Sequence, residues 1–191
     1  MDNLSGMPVR PRPLRDEDWD FIASLVNDLR TQARRQWLPP SLTPGSIKES
    51  FEKRFGCPNA GMWGIETRDG KLAGYITYLE KPVRMKSVIA VSTGFEYWGK
   101  GYAQEAMELV MRFLFEERGL QTVMLWTQSG RVRMVELAKK PGFRFSVRTR
   151  ESAVMSEGVH DSLLMDILRE EYSDLKGLKL GMMDPSKSLT K

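Results

Sequence analysis

Between a β-prone run, SVIAVSTGFE at 87–96, and the start of a helix at Tyr102 lies Trp98-Gly99-Lys100-Gly101. Glycines at such a junction let backbone N–H groups approach an anion closely, and the new helix adds the positive end of its dipole, so the segment has the chemistry of a phosphate cradle. Counted from Gly94, it matches most of the P-loop pattern G-x-x-x-x-G-K-S/T, but Gly101 stands where a hydroxyl should hold Mg²⁺. An ATP site would also need an acidic residue ending another apolar strand. The candidate is Asp166, after Leu163-Leu164-Met165, and no α/β unit follows it. An ATP-binding domain is therefore the weaker reading, and a tight turn with no ligand is the bland one.

The elements that must position this cradle follow from periodicity. The run VRPRPLRD, 9–16, alternates apolar residues and prolines with charge and suits an edge strand. Asp16 to Asp18 then precede a helix in which Phe21, Ile22, Leu25, Val26 and Leu29 recur at helical spacing. Pro39, Pro40, Pro44 and Gly45 break it, and Ser46 with Glu49 forms a capping box for a second helix over 47–55. GMWGIETR and KLAGYITYLE read as strands joined by a tight turn at Asp69-Gly70. The run at 87–96 is the next strand. From Tyr102 to Arg118 the stripe Ala103, Ala106, Met107, Val110, Phe113 and Leu114 predicts a helix ended by Gly119. A buried strand at 122–127, a short helix at 131–140 and strands at 143–150 and 160–168 complete the order β-α-α-β-β-β-α-β-α-β-β. That order predicts a single α/β (α+β) domain over 1–172, a mixed central sheet of about six to seven strands flanked by about four helices, and a tail at 173–191.

Composition sets the remaining bounds. The 191 residues are 41% hydrophobic and 28% charged, and no run approaches the roughly 20 apolar residues of a membrane span. MDNLSGMPVRPRP has no apolar secretory core, so a cytoplasmic location is expected. One cysteine, Cys57, and one histidine, His160, leave neither an internal disulfide nor a His-rich metal site to build. Lys plus Arg number 29 against 25 Asp plus Glu, which gives no reason to expect nucleic acid and agrees with an anionic small ligand.

FEYWGKGYAQEA at 95–106, the apolar helix after it and KKPGF at 139–143 together resemble the GNAT N-acetyltransferase superfamily, in the branch that acts on ribosomal-protein N-termini and polyamines. The family's glycine signature falls on Trp98 to Ala103, where Trp98 stands without the usual Gln or Arg. The resemblance implies acetyl-CoA as co-substrate, no metal, and transfer of an acetyl group to a primary amine. It implies that the strand around Val91, Thr93 and Phe95 holds the pantetheine arm. The segment Trp98, Gly99, Lys100, Gly101, Tyr102, Ala103 and Gln104 would wrap the pyrophosphate, and Arg131 could pair with a CoA phosphate. Homodimers are common in the fold.

Four positions depart from the family pattern. The usual tyrosine acid falls on Ala138, the serine that can replace it on Met134, the helix-opening asparagine on Arg131, and the strand glutamate on Val88. Glu80 and Glu96 are the carboxylates that the sequence leaves as candidate bases, and Tyr75 and Tyr78 either line a substrate cleft or serve core or cross-strand packing. These departures keep a second reading open, a catalytically silent acetyl-CoA-binding or regulatory module.

Overall fold

Short apolar and alternating runs pair into one seven-stranded sheet in the order β1-β2-β3-β4-β5-β7-β6. The computed structural model describes residues 9–28, 41–81, 85–155 and 157–177. Expectations that fall on 29–40 lie outside the described residues, as does most of the expected tail. The strands are β1 (Val9–Arg12), β2 (Ala60–Thr67), β3 (Leu72–Glu80), β4 (Lys86–Thr93), β5 (Thr122–Gln128), β6 (Arg144–Met155) and β7 (Gly158–Leu168). Proline-bearing β1 takes one edge, as its missing N–H group requires, and β6 takes the other. All neighbours run antiparallel except β4 and β5, which are parallel.

Among the described residues five helices flank the sheet: α1 (Asp18–Asn27), α2 (Pro44–Phe55), α3 (Tyr102–Arg112), α4 (Val132–Lys139) and α5 (Arg169–Lys176). The second helix starts earlier than expected. Thr43 is its cap, accepting from the Ser46 amide at 3.2 Å, and Pro44 occupies the first turn, where no N–H is needed. The third helix does not run regularly to Arg118. It widens into a π-helical turn over Phe113–Glu117, closed by the Arg118 amide on the Phe113 carbonyl at 2.9 Å. The fifth helix is absent from the expected order and runs past the boundary expected at 172. Its residues REEYSDLK bury only one large side chain, Tyr172, which stacks on Phe115 with ring centroids 4.6 Å apart, so its apolar pattern is weak.

The sheet separates two clusters. On one face, Ala106, Met107, Val110, Met111 and Leu114 of the α3 segment pack on Ile76, Ile89, Val123, Leu125 and Met165. On the other, Ile22, Leu25 and Val26 of α1 and Ile47 of α2 cover Tyr75. Burying each such aliphatic side chain contributes about 1.5 to 3 kcal/mol, and the two layers together fix the sheet between its helices. Helices α1 and α2 cover the β2–β3 side of their face. They leave Trp126 of β5 and Val147 of β6 exposed.

Two local devices set the geometry of the cradle end. Between β2 and β3 the register shifts at Ile65/Glu66, so Ala73 is an extra residue on β3, and its carbonyl accepts from the Gly94 amide at 2.9 Å. A Cβ on Gly74 would collide with the Ser92 carbonyl oxygen, so only glycine allows β3 to approach the end of β4 this closely.

Candidate active site

Strands β4 and β5 pair over three positions, Lys86 with Thr122, Ser87 with Val123 and Val88 with Met124. Beyond Val88 and Met124 both continue without pairing, β4 to Thr93 and β5 to Gln128. Two parallel strands that stop bonding while remaining extended enclose a wedge, and their facing N–H and C=O groups are available to a ligand laid between them. On the β5 side of this wedge the Thr127 hydroxyl and the Gln128 side-chain oxygen are buried without a hydrogen-bond partner among the described residues. A polar chain in the wedge would give them partners.

The wide end of the wedge leads to the glycine cradle. After Thr93 the chain makes a single 3₁₀ turn over Phe95–Tyr97, with the Tyr97 amide on the Gly94 carbonyl at 3.0 Å. The Trp98 indole Nε1 then donates to the Thr93 carbonyl at 3.0 Å, pinning the loop to the end of β4. Its ring lies 5.1 Å from that of Phe95. Gly99 and Gly101 adopt φ of +76° and +88°, and no heavy atom lies within 4 Å of where a Cβ would stand at either. The concavity is therefore unfilled by the protein's own atoms. Gly101 caps α3, whose first intrahelical bond is from the Glu105 amide to the Gly101 carbonyl at 3.1 Å. The amides of Tyr102, Ala103 and Gln104 have no carbonyl one turn behind them, and together with the helix dipole they favour an anion. Lys100 Nζ lies 5.7 Å from the centroid of the Tyr97 ring, at the cradle's edge.

Val91, Thr93, Phe95, Trp98, Gly99, Lys100, Gly101, Tyr102, Ala103 and Gln104 thus form one continuous run from wedge to cradle. Arg131 sits at the same end of the sheet, as the cap residue of α4 shortly past β5, its carbonyl accepting from the Val135 amide at 3.1 Å. Donors of this kind, backbone amides, a helix start and two basic side chains, match a diphosphate carrying an extended amide-bearing arm, which is the build of CoA.

The two candidate bases part company. Glu80 pairs with Ser87 at the start of β4, the end opposite Thr93, and six strand residues separate the two, about 20 Å. It is wholly buried and accepts from Arg118 Nε at 2.8 Å, so it serves an ion pair under the π-helical turn and is not brought to the cradle. The Arg118 guanidinium is held above its usual range chiefly by that hydrogen bond. Glu96 is instead an exposed residue of the cradle loop, and both its carboxylate oxygens lie 2.9 Å from where a Gly94 Cβ would stand. Tyr75 and Tyr78 are both buried in packing, one in the cluster under α1 and α2 and the other in the α3 core, where burial raises the Tyr78 phenol.

Beside Glu96 opens a cavity of about 340 Å³ lined by Phe21, Ser24, Leu25, Asn27 and Asp28 of the α1 end together with Gly94 and Glu96. The Asn27 amide fixes its rim, donating to the Leu42 carbonyl at 2.8 Å and accepting from the Leu42 amide at 3.0 Å. Tyr97 reaches α1 through an edge contact with Phe21, ring centroids 6.5 Å apart, and burial raises its phenol. Sequence reasoning missed the α1 contribution. Its signal was the spacing of Phe21, Ser24, Leu25 and Asp28, which places them along one side of a helix.

Ala138 is wholly buried in the core and Met134 packs against it, so neither α4 position supplies an acid. Among the described residues no cluster of three or more His, Cys, Asp or Glu side chains could hold a metal, and no helix is long and apolar enough to cross a membrane.

The profile of the acetyltransferase (GNAT) domain matches residues 9–144. Among solved structures, spermidine N-acetyltransferase from Vibrio cholerae, in complex with CoA and spermine, is 19% identical, with a TM-score of 0.77 over 86% of this chain and 98% of that one. A protein described as a probable acetyltransferase is 20% identical, with a TM-score of 0.74 over 87% and 96%. A GNAT-family acetyltransferase from Bacillus anthracis is 18% identical, with a TM-score of 0.74 over 86% and 97%. No curated protein is significantly similar in sequence. The parted strands, the glycine cradle at the head of α3 and the match over most of the chain lead to one conclusion: this protein belongs to the GNAT acetyltransferase family.

Proposed function

We propose that the protein transfers the acetyl group of acetyl-CoA to a primary amine of a small polycationic acceptor. The observation that carries this reading is the cavity beside the cradle, where Asp28 and Glu96 bring two carboxylates to one opening. An ammonium-bearing acceptor is attracted there, and a neutral or anionic one is not. A structural neighbour of the same fold carries CoA and spermine together, which agrees with an acceptor of this class.

A primary amine near pKa 10 is mostly protonated at neutral pH and must lose a proton before it attacks. Glu96 is the carboxylate placed to receive that proton, directly or through a water molecule. The acceptor nitrogen then bonds to the acetyl carbon and the C–S bond breaks. The sulfur leaves as a thiolate, and the second proton, shed by the nitrogen as the amide forms, reaches it through water. The protein's contribution is mostly positioning: the cradle fixes the phosphate end, the wedge orients the arm, and the cavity holds the cation. A cytoplasmic location, expected from the sequence, suits a reaction that draws on acetyl-CoA.

The test is release of CoA thiol with spermidine, spermine and 1,4-diaminobutane, compared with peptides and aminoglycosides. Turnover of the polyamines at the highest kcat/KM is expected, and turnover of peptides alone would overturn the acceptor class. Ala138 and Met134 favour a second reading, an acetyl-CoA-binding module without turnover. Binding of acetyl-CoA with no thiol release on any amine would select it.

A further inference from the structure

Trp126 is 52% exposed although β5 is an interior strand, with β4 on one side and β7 on the other. Its neighbours Val123 and Leu125 point into the α3 core, so the indole points to the opposite face, the one that α1 and Tyr75 share. Trp126 pairs with Leu164 of β7, and Leu164 pairs with Val147 of β6, so the three side chains form an apolar row that neither α1 nor α2 covers. Trp126 and Val147 are exposed and Leu164 between them is half-buried, and an uncovered apolar row with an indole in it is a candidate binding surface.

Its place along the sheet indicates the occupant. Trp126 stands two residues beyond Met124, the last β5 residue paired with β4, and so faces Ala90 across the wedge. Ala90 is exposed on the same face, since Ile89 points into the α3 core, and its methyl group leaves the floor open. From Ala90 to Gly94, where the carboxylate cavity begins, is four strand residues, about 13 Å. The trough has an indole at the narrow end of the wedge and carboxylates at the other. An extended chain with ammonium groups separated by methylenes complements both, because an indole face attracts a cation and also covers CH₂ groups.

We propose that Trp126 is an acceptor-specificity residue, on whose ring the distant ammonium and methylenes of a linear polyamine lie while its reacting end sits beside Glu96 and Asp28. This deepens the reading given under Proposed function and rests on it for the identity of the acceptor.

The test uses the full chain, Trp126→Ala and Trp126→Phe, each checked for an unchanged thermal transition and oligomeric state. Spermidine is titrated by calorimetry into protein saturated with CoA, where no chemistry can occur, and KM is measured separately with acetyl-CoA. Trp126→Ala is expected to weaken spermidine binding and raise its KM by about tenfold or more, with Trp126→Phe within about threefold of the parent and acetyl-CoA affinity unchanged in both. Spermidine binding within about twofold of the parent in Trp126→Ala overturns the proposal, as does absence of spermidine binding to the parent. A change of oligomeric state in Trp126→Ala with unaltered spermidine affinity also overturns it, assigning the row to a second copy of the chain. Loss of binding in Trp126→Ala together with no acetyl transfer by the parent would leave Trp126 a polyamine contact and would defeat the transferase reading alone.

Discussion

Arg118 donates from Nε to Glu80 Oε1 across 2.8 Å, and the carboxylate it meets is wholly buried. Arg118→Met leaves that charge without its partner and should destabilise the fold by about 3 to 5 kcal/mol. Glu80→Gln removes the charge while keeping a hydrogen-bond acceptor, and should cost less. Chemical denaturation measures both. Folded Glu80→Gln protein should retain its acetyl-transfer rate, because this pair lies at the opposite end of β3 and β4 from the cradle.

Gly101→Ala introduces a methyl group into open space, so the fold bears only the backbone strain of φ +88°, about 1 to 2 kcal/mol. The same methyl group stands where a phosphate would approach the amides of α3. Acetyl-CoA affinity should fall about tenfold or more by calorimetry while the thermal transition drops by only a few degrees. Equal binding by the variant would remove the cradle from the cofactor site.

Glu96→Gln keeps the size of the side chain and removes its capacity to accept a proton. The expected loss in kcat/KM for polyamines is roughly 10²-fold, with acetyl-CoA affinity unaltered. Raising the pH toward the acceptor's own pKa should recover part of the rate. A flat response to pH would mean that Glu96 attracts the cation and does not take its proton.

Asp18 joins β1 to α1 by accepting from both terminal nitrogens of Arg12 and from the Arg15 amide. Burial pushes its carboxyl up, but the Arg12 hydrogen bonds and the Arg15 amide outweigh this and hold it below the usual range. A depressed carboxylate stabilises the fold fully above its unfolded pKa, near 3.8, and loses that contribution as the pH falls through the lower folded value. Asp18→Asn should therefore destabilise the protein by roughly 2 to 3 kcal/mol at neutral pH, and the difference from the parent should shrink under acid. Denaturation midpoints at neutral pH and under acid measure this.

The cradle was legible because its cause is local: two glycines, a β-prone run before them and an apolar stripe after them. The element order was legible for the same reason, since periodicities of 2 and 3.6 are properties of short windows. The fates of the two carboxylates were not. Which end of β3 carries Glu80 relative to the cradle depends on strand register, and register is a relation between distant segments. The wedge is hidden likewise, because nothing in the residues of β4 says that pairing with β5 ends at Val88. The acceptor cavity joins Asp28 to Glu96 across 68 positions of sequence, and Trp126 is conspicuous only once the sheet shows that neither α1 nor α2 lies over it. The π-helical turn carries Phe115 onto Tyr172 and is followed by Arg118 on Glu80, tertiary contacts that local propensity does not record.

The parting of β4 from β5 means that this sheet is one strand short of complete. An extended arm lying in the wedge would act as an eighth, removable strand, and acetyl-CoA would be as much a structural member as a reagent. A protein completed in this way is more stable where that metabolite is abundant, by about 2.7 kcal/mol at a hundredfold excess over Kd. Its lifetime would then follow the supply of the compound it consumes.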